Sequence, residues 1–218
     1  MEIKALVFDL EGTLYNSREL ANEWRVQVFK LLKEKTGRSE EDILKEFLKI
    51  TEELRRQGFR RPPVSMIVEK VGITREEFYK AIDSVDAKKF LKPDPELKQA
   101  LEHMKKRWKL AMLTNLSRKS TLNIIEALDL DPGIFNPLIT ASEMEKGKPD
   151  PEPFKKIIED LGLEPSSIMM VGDSISSDLA PAKKLGMKTA LVSEKESSPL
   201  ADIKVKNIVE LKEILENE

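Results

Sequence analysis

Six side chains able to act as acid, base, nucleophile or cation ligand stand at, or shortly after, the ends of short apolar runs: Asp9, Glu11, Thr114, Lys148, Asp173 and Asp178. Asp9 and Glu11 belong to Phe8-Asp9-Leu10-Glu11-Gly12-Thr13-Leu14, Thr114 to Leu113-Thr114-Asn115, and Asp173 to Val171-Gly172-Asp173-Ser174, with Asp178 close behind. Lys148 lies in Gly147-Lys148-Pro149-Asp150-Pro151. A single Asp after a strand is commonly a turn or capping residue. The recurrence at successive run ends is what points to a shared site. Gathered together, the four carboxylates would repel, since two like charges ~4 Å apart cost about 4 kcal/mol at an effective dielectric of about 20. They would have to protonate or recruit a cation. A hard ion such as Mg²⁺, bridging carboxylates and a phosphate oxygen, resolves the conflict and neutralises an anionic substrate.

The elements needed to bring these residues together follow from the runs themselves. Residues 3–10, 110–114, 137–140, 168–171 and 189–192, and more weakly 203–205, are apolar without alternation, as in strands buried on both faces of a parallel sheet. Between them, Leu122, Ile125 and Leu128 recur at helical spacing, as do Phe154, Ile157, Ile158 and Leu161 after Pro151 and Pro153. This alternation predicts an α/β fold, a Rossmann-like doubly wound parallel sheet. Ligands of such sheets bind beyond the carboxyl ends of the strands, where the six side chains would stand.

The stretch between the first run and the second carries no strand pattern and reads as helices. Residues 18–35 and 40–57 are periodic, with Ser39 placed to cap the second, and Thr74 with Glu77 forms a capping-box pattern before residues 76–84. Arg60, Arg61, Pro62 and Pro63 make a turn, and Lys92-Pro93-Asp94-Pro95 resembles a hinge into a helix over 95–106. These features predict a core of residues 1–14 plus 92–218 and a small all-helical cap over 15–91. The alternative is that the same helices belong to one larger domain.

The bulk properties narrow the field. At 218 residues the chain can bury a substantial core without disulfides, and the absence of cysteine excludes thiol nucleophiles and zinc thiolates. With 37 basic and 39 acidic side chains interspersed, no overall field would draw it to nucleic acid or anionic lipid. No apolar run approaches a membrane span, and the first residues lead straight into a strand pattern rather than a secretion signal. The expectation is a soluble cytoplasmic protein.

Asp9-Leu10-Glu11-Gly12-Thr13, Thr114-Asn115, Lys148-Pro149 and Gly172-Asp173 with Asp178 resemble, in order and strand context, the four motifs of the haloacid dehalogenase-like hydrolases. The segment after Tyr15 is similar to the helical cap that one branch inserts after its first motif. The resemblance implies a Mg²⁺-dependent phosphatase acting on a small phosphorylated metabolite, with Asp9 as nucleophile and an aspartyl-phosphate intermediate. It further implies that Thr114 and Lys148 bind the phosphoryl group together with main-chain N–H groups near Leu10, Glu11 and Asn115. Asp9, Asp173 and the carbonyl of Glu11 would hold the metal, with Asp178 supporting Lys148 or a metal-bound water from behind. Glu11 departs from the pattern, because phosphatases of this family usually carry Asp there; glutamate keeps the acid/base chemistry but reaches one methylene farther. Enolase-phosphatases of the same superfamily have a similar Asp-x-Glu-Gly-Thr segment. Three other readings remain open at this point: a metal-free 2-haloacid dehalogenase, disfavoured by the acid count, a mutase, and a non-catalytic binding protein. Lys146 is the rival to Lys148, and Tyr15, Asn16, Trp24, Arg25, Arg60 and Arg61 could touch the leaving group or simply pack.

Overall fold

A computed structural model describes residues 2–59 and 62–217. Arg60 and Arg61, read above as part of a turn, lie outside the described residues. Six strands form one parallel sheet in the order β3-β2-β1-β4-β5-β6: β1 (Ala5–Phe8), β2 (Lys109–Thr114), β3 (Leu138–Thr140), β4 (Ile168–Gly172), β5 (Lys188–Val192) and β6 (Ile203–Val205). This is the Rossmann-like doubly wound arrangement that the apolar runs predict. β1 sits where the winding reverses, between β2 and β4. The crevice above it is therefore the place where a ligand is admitted.

The sheet's interior is built from the two-sided burial that the unalternating runs require. Every residue of β1 and β4 is buried. Ala5 and Val7 of β1 share one core cluster with Ala111, Leu113, Ile168 and Met170, closed by Phe154, Ile157 and Leu161 of the helix Pro151–Leu161. Leu6 and Phe8 point the other way, as strand alternation dictates, and Phe8 meets Phe135 edge-on at 6.2 Å. β1 and β3 are shorter than the apolar runs that predict them. At Asp9 the main chain still donates to Val171 O at 2.9 Å, and it then turns out of the ladder toward the site.

The chain divides into two compact units, Met1–Asn16 with Lys92–Glu218, and Ser17–Leu91. The second unit is helical: α1 (Arg18–Thr36), α2 (Glu40–Arg56), α3 (Val64–Lys70), α4 (Arg75–Ile82) and a short 3-10 turn at Ala87–Lys89. Ser17 caps α1 by accepting from Leu20 N–H at 3.2 Å, and Leu20, Trp24, Val28 and Leu32 form its buried stripe. Ser39 caps α2, and Thr74 and Glu77 form the capping box of α4. α3 has no counterpart in the sequence reading. It begins after Pro63 with no side-chain cap and is rich in β-branched residues, so nothing local announces it. Its order comes from packing, with Ile67 against Ile50 and Leu54 of α2. Among the described residues no helix is long and apolar enough to cross a membrane.

An ion pair ties the start of α4 to the end of α1 inside this unit: Lys35 Nζ lies 2.7 Å from Glu77 Oε2, which also accepts from Thr74 N–H at 2.9 Å. The bond from Lys35, then those from Thr74, lower the Glu77 carboxyl from 4.5 to about 2. A group depressed in the folded state stabilises fully above its unfolded value and loses that contribution as pH falls through the folded one. Glu77→Gln is therefore expected to lower the urea midpoint at neutral pH, with the gap to wild type closing between pH 4.5 and about 2. Urea titrations across that window check this; a gap independent of pH would contradict it.

Candidate active site

The carboxyl edge of the sheet brings the strand-end residues together. Asp9 follows β1 and Asp173 follows β4, the two strands being paired up to Phe8 and Val171. Thr114 ends β2, next to β1. Lys148 arrives from the loop after β3, and its position is fixed by a double latch: Asn115 Oδ1 accepts from Lys148 N–H at 2.7 Å, and Asn115 Nδ2 donates to Lys148 O at 2.8 Å. Asn115 is therefore partly engaged in building the loop. Asp178 comes from a π-helical turn, Ile175–Leu179, whose first turn is capped by Ser174. Turns of this kind, which widen the helix by one residue, are frequent at functional sites.

Lys148 is the centre of the arrangement. Its ammonium donates to Asp9 Oδ1 at 2.8 Å and to Asp178 Oδ1 at 2.6 Å, and the residue is only 4% exposed. Burial pulls the ammonium down, but Asp178 and Asp9 outweigh it and hold the group above its ordinary range. Asp178 is fully buried, which pushes its carboxyl up, against the pull of Lys148. The charged pair is the form that its surroundings serve, since Asp178 Oδ2 also accepts from Ser174 N–H at 3.0 Å. The rival lysine is elsewhere: Lys146 is exposed and pairs with Asp150 at 3.4 Å.

Asp9, Asp173 and Asp178 each offer a carboxylate oxygen within 4.8 Å of the others. Three carboxylates and one ammonium leave two negative charges in a largely buried space, so the donor set fits one hard divalent cation. Asp178 is one of the three, and its two oxygens are engaged by Lys148 Nζ and Ser174 N–H, so it stands behind Lys148 as a support. The Glu11 side chain is not among these three donors, but its main chain runs beside Asp173. A Cβ on Gly12 would lie 2.6 Å from Asp173 Cγ and Oδ2, and Gly12 has φ +85°. Only glycine lets the Glu11–Gly12 peptide come this close to the carboxylate.

Glu11 is exposed to solvent. The surrounding protein, then the charges of Asp9 and Asp173, nevertheless push its carboxyl from 4.5 up to about 7. Thr114 is buried and accepts from Leu116 N–H at 3.3 Å. Leu10 is fully buried, and its carbonyl accepts from Leu14 N–H at 3.0 Å as the chain turns back. Sequence reasoning missed Ser174 as the main-chain donor to Asp178, because an N–H group carries no residue signature. It also gave no role to Thr13, whose buried Oγ1 has no hydrogen-bond partner among the described residues.

Gly172 carries the same close-approach logic as Gly12. A Cβ there would lie 2.5 Å from Asp178 Oδ2 and 2.6 Å from its Cβ and Cγ, so the aspartate would have to move from its root and release Lys148. Gly172→Ala is expected to destabilise the protein by about 1–3 kcal/mol, as overpacking of a close contact does. Urea denaturation measures it, and a midpoint equal to wild type would show that Asp178 has room to yield.

The family model described as haloacid dehalogenase-like hydrolase matches residues 3–186. The phosphoglycolate phosphatase of Aquifex aeolicus is 30% identical over 200 residues, covering 87% of this chain and 84% of its own length. The phosphorylated carbohydrates phosphatase of Thermotoga maritima is 28% identical over 191 residues, covering 85% of this chain and 83% of its own. Among solved structures, a HAD phosphatase from Thermococcus onnurineus superposes with a TM-score of 0.71 at 26% identity, over 99% of both chains. The match to the family spans most of the chain and includes every strand that positions the cluster around Lys148; this protein belongs to the haloacid dehalogenase-like hydrolases.

Proposed function

We propose that the chain is a magnesium-dependent phosphatase that hydrolyses a small phosphorylated metabolite through an aspartyl-phosphate on Asp9. The observation that carries this reading is the approach of Lys148 Nζ to Asp9 at 2.8 Å, inside a cluster of three carboxylates at the edge of a parallel sheet. A carboxylate hydrogen-bonded to a buried ammonium is held in one orientation, which is what a nucleophile requires.

In the proposed reaction the Asp9 carboxylate attacks phosphorus, the ester P–O bond breaks, and the leaving oxygen takes a proton from Glu11. Water then attacks the phosphoryl group while Glu11 accepts its proton, and inorganic phosphate departs from Asp9. A carboxyl pushed up to about 7 carries a proton in a useful fraction of molecules near neutrality, which suits both halves of that task. Lys148, Thr114 and the main-chain N–H groups of Leu10, Glu11 and Asn115 would hold the phosphoryl oxygens as charge shifts onto them. Asp9, Asp173 and the carbonyl of Glu11 would hold Mg²⁺, and Asp178 would keep Lys148 in place. When bound, the ion supplies neutralisation of the charge shared by carboxylates and phosphate.

Hydrolysis of p-nitrophenyl phosphate tests the reading. Phosphate release should require Mg²⁺, falling about 10³-fold or more after chelation, as expected for several kcal/mol of charge stabilisation. Asp9→Asn should lose at least about 10³-fold in kcat, the scale seen when a nucleophile is removed. Metal-independent chloride release from 2-chloropropionate, with no phosphate release, would instead identify a dehalogenase. For the acid/base role, Glu11→Gln is expected to lower kcat by about 10²-fold or more. Unchanged turnover would remove Glu11 from the mechanism.

A further inference from the structure

The turn after the nucleophile leaves one group without a use. The chain reverses at Gly12, whose N–H donates to Tyr15 O at 2.7 Å, and the two sides pair so that Tyr15 lies opposite Glu11. The Tyr15 hydroxyl is buried and, among the described residues, has no hydrogen-bond partner. An unsatisfied buried hydroxyl costs about 1–3 kcal/mol, and buried polar groups are in general partnered. The hydroxyl lies within the electrostatic reach of Glu11 and Asp9, and burial followed by those charges holds it protonated. It is therefore a buried donor, on the residue paired with Glu11, without an acceptor among the described residues.

The placement says which part of a substrate would supply one. Lys148 and Thr114, the groups assigned to the phosphoryl oxygens, come from other strand ends. The main chain of Tyr15 is instead paired with that of Glu11, the residue assigned to the leaving oxygen. Resting on the phosphatase reading, we propose that Tyr15 is a specificity-determining residue: its hydroxyl donates a hydrogen bond to an oxygen of the substrate's alcohol part. The site would then select phosphate esters whose leaving group carries a hydroxyl, carbonyl or carboxylate oxygen beside the ester oxygen. Sugar phosphates and phosphorylated hydroxy acids have such an oxygen, whereas simple aryl phosphates do not. A site built to satisfy its donor on the substrate discriminates against analogues that leave it unpaired.

Tyr15→Phe removes the oxygen and keeps the ring. With Mg²⁺ present, kcat and KM are measured for p-nitrophenyl phosphate and for a panel of sugar phosphates and 2-phosphoglycolate. For the best panel substrate, kcat/KM is expected to fall about tenfold further than for p-nitrophenyl phosphate, the worth of one good hydrogen bond. The thermal midpoint of the free protein should not fall, because the deleted hydroxyl makes no bond there. Equal losses on both substrate types, no loss on either, or a lowered midpoint would overturn the proposal. So would a wild-type enzyme that cleaves p-nitrophenyl phosphate but no panel member. A wild type that releases phosphate from no ester would bring down the phosphatase reading, and this proposal with it.

Discussion

One buried ammonium organises the site. Lys148 stands between Asp9 and Asp178 with almost no solvent contact, and its ammonium donates to both carboxylates. Removing one member of a buried pair typically costs about 3–5 kcal/mol, because the other charge is left uncompensated. The surrounding architecture can be read as what is needed to deliver three charged groups from distant parts of the chain to one point. The double bond between Asn115 and the Lys148 main chain positions the ammonium, and Ser174 N–H positions Asp178.

That delivery relies on the sheet. Parallel strands all present their carboxyl ends at one edge, and winding in both directions from β1 opens a crevice where flanking connections diverge. Two glycines then set the spacing. Gly12 admits Asp173 to the backbone beside Glu11, and Gly172 admits Asp178 to the end of β4. A side chain at either position would hold the acidic groups apart and dissolve the cluster.

The same cluster is also incomplete in charge. Lys148 offsets one of three carboxylates, and Glu11 adds a fourth acid whose carboxyl is pushed up by the surrounding protein and then by the charges of Asp9 and Asp173. A site left with excess negative charge disfavours an anionic substrate unless a cation joins it. The acid count and the choice of a phosphate ester therefore belong together.

Much of this was present in residue order alone. The unalternating runs determined that strands would be buried on both faces, and the acids at their ends determined where chemistry would collect. The capping residues Ser39 and Thr74 with Glu77 announced their helices because a cap is a local bond between near neighbours. What only the tertiary structure decided depends on long-range contact. α3 is ordered by packing on α2 and carries no local signal. Lys148 rather than Lys146 enters the site because Asn115, distant in sequence, latches its backbone. Asp178 joins the cluster because Gly172 leaves room for it, and the Tyr15 hydroxyl has no partner among the described residues because of what surrounds it in space. Residue type states which bonds a group can make; only the folded chain decides which partners come within reach.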